Sequence, residues 1–133
     1  MTIAPPKAPA SPSSAWPAEV ELILSAMDAA GPASRDRRLL ARLPYRVRAE
    51  LELYSADPDD PPIVLYTRDV DPRGIGFITA TRLPLGYGGQ VRVFAPDGTK
   101  PVIACTVTRC REAAPGWFEG AIYFNRSQPR FEL

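Results

Sequence analysis

The chain has 133 residues, a hydrophobic share of 45% and a net charge of +1. That is length for one domain with an extension, and apolar content for one core. Histidine is absent and there are two cysteines. The absence of His removes Ser-His-Asp and Cys-His catalysis and His-ligated zinc, and two thiols cannot build a disulfide framework or a four-thiolate metal site. In chain order, residues 1–14 come first, a Pro/Ala/Ser tract whose Pro5, Pro6, Pro9 and Pro12 lack backbone donors, which predicts a flexible arm. Residues 15–30 place Trp16, Val20, Ile23, Leu24 and Met27 on one stripe, which predicts a short amphipathic helix. Ser14 is its expected cap, and Gly31-Pro32 its stop. Residues 31–42 form an Arg-rich linker.

From Tyr45 the period changes to two. Tyr45, Val47, Ala49, Leu51 and Leu53 alternate with Arg46, Arg48, Glu50 and Glu52, a strand with one face in a core. Arg46 and Arg48 are expected to be solvated on its outer face. Five more strands are expected near 62–69, 74–80, 89–96, 101–111 and 117–125. Turn signals separate them, among them Asp71-Pro-Arg-Gly74, Asp97-Gly-Thr99 and Ala114-Pro-Gly116. Six short antiparallel strands predict a small closed β-barrel over residues 43–126, because closure removes exposed edges. Residues 127–133 read as a tail. Trp117, Phe118, Tyr123 and Phe124 are expected in the barrel core rather than on a base-stacking platform.

Fourteen of the sixteen cations are Arg, since Lys occurs only at 7 and 100. Six Arg fall within residues 35–48. The guanidinium fork suits phosphate, carboxylate and guanine edges. The near-zero net charge argues against bulk binding to DNA or RNA. Cys105-Thr-Val-Thr-Arg-Cys-Arg111 fits the C-x5-R spacing of Cys-dependent phosphatases. The strand pattern around it supplies no phosphate-cradling loop or following helix. A buried thiol is expected there, and no enzyme. No apolar run is long enough to span a membrane, and the first thirty residues do not have the pattern of a signal peptide. A cytoplasmic protein with free thiols is expected.

Arg38-Leu-Leu-Ala-Arg42, followed by Leu-Pro-Tyr-Arg-Val, resembles the R-x-x-x-R entry to a PilZ domain. Asp69-Val-Asp-Pro-Arg-Gly74, twenty-seven residues past Arg42, is similar to that family's D/N-x-S-x-x-G motif. The resemblance covers residues 36–126 and implies a six-stranded antiparallel barrel that binds cyclic di-GMP. It implies Arg38 and Arg42 on guanine edges and phosphates, with Arg37 as a further cation. It implies Asp69 accepting from a guanine N–H edge, and Gly74 letting the turn pass close under the ligand. Asp71 stands where the family has Ser. It can accept from a guanine N–H, yet it adds a negative charge beside Asp69. The expected function is a second-messenger sensor, without cofactor or metal, that signals to a protein partner by ordering its N-terminal segment, since the run of Arg in residues 31–42 repels itself until an anion neutralises it. The alternative is a degenerate barrel that serves as a protein-interaction module and binds no nucleotide.

Overall fold

The structure is a computed structural model that describes residues 16–30 and 43–132. The flexible arm, the Ser14 cap and the linker with Arg37, Arg38 and Arg42 lie outside the described residues. Helix α1 spans Ala18–Ala30 and opens with the Val20 and Glu21 N–H groups donating to the Pro17 carbonyl. Seven strands follow: β1 Leu43–Pro44, β2 Arg48–Leu53, β3 Ile63–Asp71, β4 Gly74–Thr79, β5 Gly88–Arg92, β6 Val102–Ala114 and β7 Trp117–Phe124. All pairings are antiparallel, in the order β3-β2-β5-β6-β7-β4, and β4 returns to β3. This is the expected closed six-stranded barrel.

The short β1 pairs with the far end of β3, on the side that β2 occupies earlier along β3. Strands β1 and β2 are therefore one line interrupted at residues 45–47. The Thr67 hydroxyl holds the interruption by accepting from the Val47 N–H and donating to the Tyr45 carbonyl. This replaces the ladder bonds that the irregular backbone cannot make. The expected start of a regular strand at Tyr45 thus moves to Arg48.

The barrel interior is filled by Leu51, Leu65, Ile75, Phe77, Val91, Ile122 and Phe124, among other buried residues. Phe131 joins them from a 3₁₀ turn over Pro129–Phe131, its ring stacked on Phe124 at 5.6 Å and edge-on to Tyr45 at 6.1 Å. The segment expected to be a tail therefore closes one end of the barrel. Alternation predicts one buried face per strand, and β4 departs from it by being buried on both. Its inner face carries Ile75 and Phe77, while Ile78 faces a second cluster with Trp16, Val20 and Leu24. Helix α1 packs there, against Tyr66 and Trp117 as well. Arg46, expected to be solvated, pairs with Glu21 at 3.4 Å and Asp28 at 3.3 Å on that helix. Trp117 is likewise not barrel core, and Tyr123 is exposed on the outer face. Among the described residues no helix is long and apolar enough to cross a membrane.

Candidate functional site

Two β-bulges decide which side chains reach the surface. On β3, Leu65 and Thr67 are buried. Continued alternation would point Asp69 into the barrel. The register against β4 shifts between Thr67 and Asp69, so that Val70 fills the interior instead. Asp69 is left half-exposed, opposite Pro44 of β1 and Gly76 of β4. An extra residue in one strand re-aims everything after it.

The β3–β4 turn is tightly held. Asp71 is buried, and its Oδ1 accepts from the N–H groups of Arg73 at 2.7 Å and Gly74 at 3.0 Å. The C-terminal stretch secures the same turn from outside. The Phe124 N–H donates to the Arg73 carbonyl at 2.6 Å, and the Gln128 N–H to the Pro72 carbonyl at 2.7 Å. Gly74 has a reason of its own: a Cβ there would stand 2.3 Å from the Ile122 carbonyl oxygen of β7. It is needed for strand packing whether or not a ligand lies above the turn. Asp71 likewise has a structural duty that the sequence does not reveal, with one oxygen turned to the backbone.

Strand β1 lies at this place. Leu43, the residue after Arg42, pairs with Val70, and Pro44 pairs with Asp69. Asp69, Asp71 and Gly74 thus lie at one end of the barrel, whereas Arg37, Arg38 and Arg42 lie outside the described residues. Exposed Arg73 at the turn tip belongs to that end too, as do Arg126 and Arg130 on the segment that Gln128 ties down. No spacing pattern in the sequence singled out these three. Tyr45 completes the rim, its hydroxyl donating to the Phe94 carbonyl at 2.6 Å. Burial, reinforced by the charge of Asp97, raises the Tyr45 pKa and keeps that donor protonated.

Replacing Asp71 tests its double position. Asp71→Ala leaves two N–H groups of a half-buried turn without their acceptor and is expected to cost about 1–3 kcal/mol of stability. Asp71→Ser keeps one acceptor oxygen, so it is expected to recover part of that loss. Denaturation of the two variants checks both effects, and an Ala variant as stable as wild type would remove the turn-anchor role.

The C-x5-R spacing carries no phosphatase-like site. A register shift against β7 between Val107 and Arg109 turns β6 over. Cys105 and Val107 point inward, whereas Arg111 is 71% exposed on the other face. It bonds there to Glu119, whose buried carboxylate also accepts from Arg109. Burial pushes the Cys105 thiol up to about 12 from an ordinary 9.0. The unfolded chain ionises near its ordinary value and the native chain does not. Unfolding therefore releases a proton in that window, and stability is expected to fall as pH rises from 9.0 towards about 12. At neutral pH Cys105 is expected to react with a disulfide reagent only on unfolding. Prompt labelling of native Cys105, located by peptide mapping, would contradict its burial.

The chain matches no known protein-family model, and no curated protein is detectably similar to it. No group of His, Cys, Asp and Glu suited to a metal ion occurs among the described residues.

Proposed function

We propose that the protein is a cytoplasmic sensor of cyclic di-GMP that carries the signal to a protein partner and performs no catalytic step. The observation that supports this most directly is the pairing of β1 with β3. Leu43, next in the chain after Arg42, thereby lies at the end of the barrel that bears Asp69 and the Asp71–Gly74 turn. Guanidinium groups and a guanine-accepting carboxylate are the complement of a ligand with two purines and two phosphates. The turn beneath is preorganised by four hydrogen bonds to its backbone, so little ordering is needed on that side.

Residues 31–42 join this end to α1, which packs on the outer barrel face through Trp16, Val20 and Leu24. Ligand that orders the linker would thereby bear on the helix, and the helix is the element a partner reads. Calorimetric titration of the purified chain with cyclic di-GMP tests the proposal. A saturable heat with cyclic di-GMP and none with GMP is expected. No binding at all would favour the nucleotide-independent interaction module.

A further inference from the structure

The barrel end away from the Asp71 turn carries a distinct surface feature. Strand β3 runs from Ile63 to Asp71, eight residue steps, which places the two ends up to about 26 Å apart. A cleft of about 300 Å³ lies beneath the 54–62 loop. Its floor is apolar, with Leu51, Leu53 and Ile63, and its rim carries Glu52, Asp57 and Asp60. No Lys or Arg lines it. Asp57, Asp59 and Asp60 make no ion pair among the described residues, and Glu52 only accepts from Gln90 at 3.3 Å. Beside the cleft, Tyr54 is 66% exposed and its ring lies over the surface of Gly88. Leu85 and Tyr87, just before Gly88, are exposed too.

We propose that this cleft is the docking site for an arginine side chain, flanked by apolar residues, on a protein partner. The cleft is at the small end of ligand-pocket volumes, sized for one long side chain rather than a dinucleotide. An arginine has the matching build: an apolar stem for Leu53 and Ile63, and a charged fork for the carboxylates at the rim. Tyr54 offers an aromatic face on which the guanidinium stacks. The unpaired negative charge sets the sign of the partner, because a nucleotide, a nucleic acid or an anionic lipid surface would meet only carboxylates here.

The loop is also built to hold its shape. The Asp57 Oδ1 accepts from the Asp59 N–H at 3.0 Å, and the Asp60 N–H donates to the Asp57 carbonyl at 2.9 Å. Pro58, Pro61 and Pro62 restrict the backbone on either side. Little ordering is then required on binding. This site is independent of nucleotide binding and stands whether or not the other end holds cyclic di-GMP.

The test is a titration of the isotope-labelled full chain with the peptide acetyl-Leu-Arg-Leu-amide, followed by NMR. Saturable shifts are expected for amides between Glu52 and Ile63 and at Gln90, at an affinity of about 1 mM. Added salt should weaken them severalfold. The same peptide with citrulline in place of arginine should bind at least about tenfold more weakly, since it keeps the shape and loses the charge. The Asp57→Asn/Asp60→Asn variant should do likewise, because Asn at 57 retains the turn bond and removes the charge. No saturation by about 10 mM would overturn the proposal. So would equal titration by the citrulline peptide or by the Asn variant, or shifts confined to the Asp69 end.

Discussion

Phe124→Ala is expected to lower the unfolding free energy by about 3–5 kcal/mol, the range for emptying an aromatic site in a packed core. The Phe124 side chain is almost wholly buried and is stacked on Phe131. Its removal deletes the contacts of one ring and strips the support from a second. Phe131 and Tyr45 close the barrel at the Asp69 end, so the damage is not confined to the core. The Gln128 N–H bond to Pro72 loses its backing, and amide exchange at Gln128 should accelerate more than exchange at β5. Phe118→Ala is the comparison, since that ring is half-buried and carries Arg82 4.7 Å above its centroid. A smaller loss is expected there. Denaturant titration measures both, and a loss below about 1 kcal/mol for Phe124→Ala would show that the Phe124–Phe131 plug is not a packed unit.

The second large effect follows from the proposed binding of cyclic di-GMP. Arg38→Ala and Arg42→Ala should each cost about 1.5–3 kcal/mol of cyclic di-GMP binding, as lost charge-assisted hydrogen bonds. If the two losses add, the double variant binds roughly a hundredfold to ten-thousandfold more weakly. Calorimetry gives the affinities, and the unfolding midpoint, measured alongside, separates lost contacts from a lost fold. Arg73→Ala on the turn tip adds a check on the location. It should weaken binding less than either linker variant and steepen no salt dependence. Single linker variants that titrate like wild type would show that the R-x-x-x-R segment is not the anchor.

A period of two along Ala49, Leu51 and Leu53, and turn signals at Asp71-Pro-Arg-Gly74 and Asp97-Gly-Thr99, were enough to predict strands, their number and a closed barrel. Those features are local: alternation follows from strand geometry, and turn residues from their own backbone preferences. The helix stripe was legible for the same reason. The candidate residues Arg37, Arg38, Arg42, Asp69, Asp71 and Gly74 were legible as a resemblance in their order and spacing.

What each of these residues does was not local. Whether Asp69 points outward depends on one bulged residue in β3, and a bulge leaves no mark in an alternation that reads equally well without it. The same holds for Arg111, which a bulge in β6 turns away from Cys105. Gly74 is required by a carbonyl of β7 some fifty residues away in the chain, and Asp71 by a turn whose N–H groups only the folded hairpin aims at it. Phe131, Arg46 and Trp117 took their places from partners distant in sequence: Tyr45, Glu21 and Tyr66. The sequence by itself determined the elements and the closed barrel, since these rest on short-range periodicity and turn chemistry. Only the tertiary structure decided which faces are buried and which charges meet. Those outcomes depend on strand register and on the packing of remote segments, and neither is encoded in any one window of the chain.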